Sequence, residues 1–338
     1  MSYSRIPAAA FGVRKVMIAA TGVFFASALM LAGGKAIAAD PYPAKPIKVI
    51  VPYVAGGPTD VYARMLAKTM GDSLGVPVIV ENKGGAATII GAEVAARAPN
   101  DGYTLMFTVM TTVSSNPLLY KKLPYKVEDF APIAEVARST FVLAMSPTVP
   151  VNTAQEFVGY VKANPGKVAM GSLGIGTGPY IVGKTFARVA GLDMIEVSYK
   201  GSAAAMTDLL GGQIGVYFDG LSSALPQYKA GKLKVLAVAS PKRNPTMPEV
   251  PTFTELGYKD MEMSAFWAFF APAGTPKDVL AKLSAAATKA ANDDAFKNHL
   301  LSEGVTVETS TPEGLTDLIK RDTDAWQRAI TPLNIPLQ

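Results

Sequence analysis

Short apolar runs alternate with stretches of helical periodicity along most of the chain. Ile47–Val51, Val76–Val80, Tyr103–Thr108, Val168–Gly171, Ile195–Tyr199, Val216–Asp219 and Leu233–Ala239 are β-branched or apolar and strand-length. Between them Val61, Tyr62, Met65, Leu66 and Met70 recur at helical spacing, as do Ile89, Ile90, Val94 and Ala95. Ala203–Leu210 runs into Gly211-Gly212, a helix stop. This βαβα order predicts an α/β fold of mostly parallel sheets flanked by helices. Thr140–Met145 and Met263–Ala271 read as extended segments on which the chain crosses between two lobes, leaving the first near 142 and returning near 265. Thr275-Pro276-Lys277-Asp278 and Thr311-Pro312-Glu313 each predict an N-cap, a proline at the first helical position and an early acid, so the last third returns to the first lobe as helices.

The amino end breaks the pattern. Arg5, Arg14 and Lys15 precede an apolar run, Val16 to Ala32, and Ala36-Ile37-Ala38 offers a small-residue cleavage site. Residues 1–38 are therefore expected to be a cleaved export leader, with the product in the periplasm. The formal charge of +5 changes meaning once this segment is removed. All its charges are basic (Arg5, Arg14, Lys15, Lys35), and 32 basic residues less these four leave 28 against 27 acids. A near-neutral mature chain lacks the electrostatic footprint of a nucleic-acid binder. There is no cysteine, so neither a disulfide framework nor Cys–His catalysis is available. Roughly 300 residues is where single cores give way to lobes.

Candidate chemistry concentrates where strands meet helices. Tyr53-Val54-Ala55-Gly56-Gly57-Pro58-Thr59-Asp60 follows the first strand, and Ser172-Leu173-Gly174-Ile175-Gly176-Thr177-Gly178 follows a strand in the second half. A glycine-rich turn into a helix presents free amides at the positive end of the helix dipole, which makes an anion site. Two such turns suggest two lobes gripping one anion; taken singly, each Gly-Gly is a tight turn and Asp60 a dipole-matched acid. Neither loop is a dinucleotide or P-loop fingerprint, so no cofactor is expected. Tyr199-Lys200-Gly201 and Asp219 also end strands, where ligands bind in parallel sheets. Lys200 suits a second carboxylate and Asp219 a hydroxyl, amine or water; the alternatives are a solvated lysine and a capping acid. Tyr53, Tyr180 and Trp267 can line a pocket or belong to the core. The single histidine, His299, is far in sequence from both loops, and no G-x-S-x-G elbow presents a serine.

The chain resembles the extracytoplasmic solute receptors of the tripartite tricarboxylate transporters, the Bug family, from about Tyr42 to about Ala329. The resemblance is carried by Tyr42-Pro43-Ala44-Lys45-Pro46-Ile47, Gly56-Gly57-Pro58-Thr59-Asp60, Glu81-Asn82-Lys83, Ile90-Gly91-Ala92 and Pro99-Asn100-Asp101-Gly102-Tyr103-Thr104-Leu105. Asn116-Pro117-Leu118-Leu119-Tyr120, Tyr199-Lys200-Gly201, Gly211-Gly212-Gln213-Ile214, Pro248-Glu249-Val250-Pro251-Thr252 and Ala271-Pro272-Ala273-Gly274-Thr275-Pro276 continue it. It implies a two-lobed, hinge-closing periplasmic receptor with lobe one at 39–142 plus 266–338, lobe two at 143–265 and the cleft between them. Such a receptor is a monomer that binds a small carboxylate and delivers it to a permease of large and small membrane subunits. The implied ligand groups are Tyr53, Gly56, Gly57, Pro58, Thr59 and Asp60 from lobe one. Lobe two supplies Ser172, Gly174, Thr177, Gly178, Tyr180, Tyr199, Lys200, Gly201 and Asp219. Two positions depart from the family pattern: Pro179-Tyr180 stands where many relatives have a histidine, and Gly215 where many have an acid. A ligand-presenting sensory co-receptor and an exported hydrolase or lyase using Asp60 and Asp219 are the alternative functions.

Overall fold

The computed structural model describes Met1 and residues 42–338; the leader expected over residues 1–38, Met1 aside, and its cleavage site lie outside the described residues. In chain order the elements are β1 (Ile47–Val51), α1 (Pro58–Leu74), β2 (Val78–Asn82), α2 (Ile89–Ala96) and β3 (Thr104–Val109). A π-turn, Thr111–Ser115, runs into α3 (Asn116–Leu119) and is followed by β4 (Phe130–Met145). Then come α4 (Ala154–Ala163), β5 (Ala169–Ser172), α5 (Gly178–Ala190), β6 (Ile195–Ser198), α6 (Ser202–Leu210), β7 (Val216–Gly220), α7 (Leu221–Lys229) and β8 (Lys234–Val238). The chain returns through β9 (Ser264–Pro272) and ends in α8 (Lys277–Ala291), α9 (Asp294–Ser302) and α10 (Pro312–Ile330).

Two parallel half-sheets form the lobes. β1 lies between β2 and β3, and β5 between β6 and β7, all in parallel register. β1 shows why this order is stable: Ile47, Val49, Ile50 and Val51 are buried, while Lys48 alone is exposed and pairs with Glu81 at 2.8 Å. The antiparallel pairs all involve β4 or β9. β4 pairs with β9 from Phe130↔Pro272 to Thr140↔Ser264, then with β7 from Phe141↔Gly220 to Met145↔Val216. One strand thus serves both sheets and changes partner at Thr140–Phe141. At the same level Ala239 N donates to Phe141 O and Met263 N to Ala239 O, at 2.8 and 2.9 Å.

Most strand ends shift by one residue from the sequence reading, and three differences have a local reason. β2 begins at Val78 rather than Val76, because Pro77 has no N–H and its carbonyl instead accepts from Ile47 N at 2.9 Å. Thr275 does not cap α8. Its hydroxyl donates to Pro272 O at 2.8 Å, closing the preceding turn, and Pro276 becomes the N-cap in an extended conformation. Thr311 does cap α10, accepting from Gly314 N at 3.1 Å. β4 is 16 residues long, not six, because its first part buries Glu135 and Ser139, which interrupt the apolar pattern. The last third was expected to return to lobe one; α10 packs against β4 and the π-turn there, and also against α5 of the other half.

Two acids are buried near the crossing, Glu135 on β4 and Asp322 on α10. Arg138 holds Glu135 with two bonds of 2.8 Å, yet burial outweighs that pairing and pushes Glu135 from its ordinary 4.5 up to about 7. Asp322 of α10 rises from 3.8 to about 7, burial outweighing the nearby Ser114 hydroxyl, Arg138 and the Trp326 indole. A raised acid means the folded state holds its proton more tightly than the unfolded chain. The stabilising contribution is therefore full below about pH 4 and is lost as pH rises towards 7. The expected result is that Asp322→Asn loses less stability than wild type between pH 5 and pH 8. Identical melting differences in the two proteins would contradict it.

Candidate functional site

The first glycine loop leaves the C-terminal end of β1 and is sewn to its own helix. Gly56 takes φ +84°, open to glycine, and its N–H donates to Asp60 Oδ2 at 2.9 Å. Asp60 also accepts from Arg64 Nε at 3.0 Å and from Asn82 Nδ2 at 2.9 Å, while Asn82 Nδ2 reaches Tyr53 O at 3.2 Å. Burial opposes ionisation of Asp60, but Arg64, the Gly56 amide and Asn82 win, and its carboxyl is held below the usual range. Both oxygens are thus engaged within lobe one, and the acid shapes the loop. Thr59 is buried and accepts from Trp267 Nε1 at 3.0 Å, which fixes the indole in the core. Gly57 is the N-cap and Pro58 the first helical residue of α1. The Tyr53 phenol sits against Thr108 and Thr111, and burial pushes it well above the usual tyrosine range.

The second loop is similarly self-supporting, and the amides of Gly174 and Thr177 are engaged within it. Ser172, fully buried, donates to Glu196 at 2.9 Å and accepts from Gly174 N at 3.2 Å; Glu196 in turn pairs with Lys184 at 3.2 Å. Thr177 is the N-cap of α5, and its hydroxyl donates to Gly174 O at 2.7 Å. Gly174 and Gly176 take φ of +94° and +84°. The N–H groups of Gly176 and Gly178 find no acceptor among the described residues. They point from the positive end of a 13-residue helix. Gly178 has a packing reason as well: a Cβ there would lie 2.7 Å from Phe141 Cζ, on the strand that changes sheets. Phe141 meets Trp326 of α10 edge-on, with centroids 6.2 Å apart, so this loop, the crossing and the C-terminal helix are in one contact chain.

Gly176 and Gly178 line a cavity of about 320 Å³. Gly176, Thr177 and Gly178 form one wall; Ala87, Thr111, Ser115 and Asn116 form part of the opposite one. Apolar side chains of Met110, Leu119, Ile175, Ile181 and Trp326 line the rest, with Tyr120 and Gln338. Residues Gly56 to Asp60 are outside this lining, and the lobe-one wall comes from the ends of β2 and β3 instead. Tyr53 is also outside the lining. The Tyr199 hydroxyl donates to Asp208 at 2.8 Å and its own pKa rises to about 12, through burial and then that acid. Lys200 is exposed and Gly201 extended, at φ 179°. Tyr180 packs against the core beside Lys184. Asp219 is buried and accepts from Ser202 Oγ at 3.3 Å, Gly220 N at 2.8 Å and the Ser223 hydroxyl; burial still raises its pKa.

The lobe-one wall was missed by sequence reasoning. Ala86, Ala87 and Thr88 are consecutive non-glycine residues at φ +46°, +49° and +78°. Such conformations cost on the order of 1–3 kcal/mol each and cluster at ligand clamps. Neighbouring groups hold the turn: buried Asn116 donates to Ala87 O at 2.8 Å, and Thr112 donates to the Thr88 hydroxyl at 2.9 Å. The π-turn that carries Thr112 is itself a form found at functional sites. The available signal was the small and hydroxyl-bearing character of Gly84–Thr88 and Thr111–Asn116, each directly after a strand.

Two half-sheets joined by shared crossing strands, with a cavity at the C-terminal strand ends, define a two-lobed periplasmic-binding-protein fold. The model of the tripartite tricarboxylate transporter family receptor, TctC, matches residues 62–335, and the chain belongs to that family. It is 34% identical over 316 residues to protein BugT of Bordetella pertussis, covering 92% of this chain and 95% of BugT. The solved periplasmic binding protein BugD superposes with a TM-score of 0.71 at 36% identity, over 88% of this chain and all of BugD. MatC from Rhodopseudomonas palustris with bound malate gives a TM-score of 0.69 at 29% identity, over 85% of this chain and 99% of MatC. No helix among the described residues is long and apolar enough to cross a membrane.

Proposed function

We propose that the chain is a periplasmic receptor that captures a small carboxylate in this cavity and delivers it to a membrane permease of large and small subunits. Residues 1–38 direct export. Lobe one, 39–142 plus 266–338, closes on lobe two, 143–265, by bending where β4 and β9 cross. The observation that carries the reading is that Gly176 and Gly178, whose amides have no acceptor among the described residues, line a cavity whose far wall belongs to the other half-sheet. A ligand touching both walls favours the closed arrangement because only that arrangement supplies both sets of contacts. Hydrogen bonds to a charged group contribute roughly 1.5–3 kcal/mol each, so a few suffice for the about −8 kcal/mol of a micromolar complex. The malate bound to MatC, a family relative, supports a carboxylate. A hydrolase built on Asp60 and Asp219 is disfavoured, since Arg64, Asn82 and the Gly56 amide occupy the first and Ser202, Ser223 and Gly220 the second.

The test is thermal melting of residues 39–338 across a panel of carboxylic acids. An acid present at 100 times its Kd stabilises by about 2.7 kcal/mol, which is several degrees for a protein of this size. Flat melting curves for every acid, in protein unfolded and refolded to strip any bound ligand, would contradict the receptor reading.

A further inference from the structure

We propose that Gln338 is a ligand-binding residue: its side-chain amide donates to the captured carboxylate from lobe one, while the amides of the Gly176 loop donate from lobe two. This rests on the receptor reading above and deepens it by one side-chain donor. The placement begins with the main chain. α10 ends in a short turn, Thr331–Leu333, and Leu333 and Ile335 pack against the buried core. Gln338 N then donates to Leu119 O, and Lys121 N donates to Gln338 O, both at 2.9 Å. These two bonds hold the residue beside Tyr120, directly after α3, and use none of its side chain.

The side chain reaches the other wall. Gln338 lines the cavity together with Gly176, Thr177 and Gly178, and its Nε2 lies 3.7 Å from the position a Cβ on Gly176 would take. Its side-chain amide makes no hydrogen bond to the described residues. Other polar side chains of the lining are already engaged. Thr177 donates to Gly174 O at 2.7 Å, Asn116 to Ala87 O at 2.8 Å and Ser115 to Thr111 O at 3.4 Å. A glutamine amide carries two N–H donors and no charge, which suits a carboxylate that main-chain N–H groups also serve. One group held from both lobes is fully bonded only when the lobes are closed, so Gln338 couples capture to closure.

The test is calorimetric titration of refolded residues 39–338 with malate, adipate, glutamate and benzoate, wild type beside Gln338→Ala and Gln338→Glu. Gln338 is exposed and anchored through its main chain, so both variants are expected to fold and to melt with wild type when unliganded. For whichever acid wild type binds, Gln338→Ala is expected to raise Kd roughly ten- to a hundredfold, the loss of one hydrogen bond to a charged group. Gln338→Glu is expected to bind more weakly still, because it keeps the shape of glutamine but sets a like charge beside the carboxylate. A packing role orders the variants the other way, with Gln338→Glu nearest wild type. That reversed order, or wild-type affinity in both variants, overturns the role of Gln338 and leaves the receptor standing. Failure of refolded wild type to bind any of the four acids overturns both.

Discussion

Gly176→Val is expected to abolish carboxylate binding while the unliganded protein melts within a few degrees of wild type. Gly176 sits at φ +84°, where a β-branched residue is strained by on the order of 1–3 kcal/mol. The loop is partly exposed, and it can relieve that strain by rebuilding without opening the core. Rebuilding moves the amides of Gly176 and Gly178 off the cavity wall. Losing two hydrogen bonds to a charged group costs about 3–6 kcal/mol, or roughly a hundred- to ten-thousand-fold in Kd. An added Cβ itself would meet Leu119 Cδ1 and Gln338 Nε2 at 3.8 and 3.7 Å, ordinary van der Waals contact, so the effect comes from the backbone. Calorimetric titration decides it; wild-type affinity would remove the second loop from the site.

Asn116→Ala is expected to act on stability and binding together. The side chain is buried, and its Nδ2 serves Ala87 O at 2.8 Å as well as the Thr88 hydroxyl and the Tyr125 hydroxyl, both at 3.3 Å. Alanine leaves the Ala87 carbonyl without that donor, at about 1–3 kcal/mol, and releases one of the side chains that hold the left-handed turn at 86–88. With cavity formation added, about 2–4 kcal/mol of stability is lost, and melting falls by roughly 5–12 °C. The lobe-one wall then relaxes and carboxylate binding weakens by more than about tenfold. Calorimetry of the variant with and without ligand separates the two effects. An unchanged melting temperature would show that the turn does not depend on Asn116.

The same two residues mark the limit of what is legible from sequence. The loop that carries Gly176 is visible as alternating glycines after a strand, but Gly176 itself is not among the residues the sequence reading singles out, which are Ser172, Gly174, Thr177 and Gly178. The alternation of strands and helices follows from apolar periodicity, and β4 exchanges β9 for β7 as its partner at Thr140–Phe141. The small residues of Gly84–Thr88 hint at a turn, but not at the left-handed backbone of Ala86 and Ala87: a donor to it, Asn116, lies about thirty residues away, and such pairs are invisible to local rules. The acids show a different gap. Arg64 lies one helical turn from Asp60 and can be anticipated as its partner, but Asn82 cannot, nor can the Ser202 and Ser223 hydroxyls that meet on Asp219. Residue type alone does not distinguish an acid waiting for a ligand from one that organises its own loop.

Amide hydrogen exchange of residues 39–338, with and without the acid that raises the melting temperature most, tests two-sided capture most directly. Protection should increase in peptides covering 84–90 and 110–120 on one lobe and 173–181 on the other, in the same titration and at the same midpoint. Protection confined to one of the two walls, or appearing only elsewhere on the surface, would contradict closure of the lobes around a bound carboxylate.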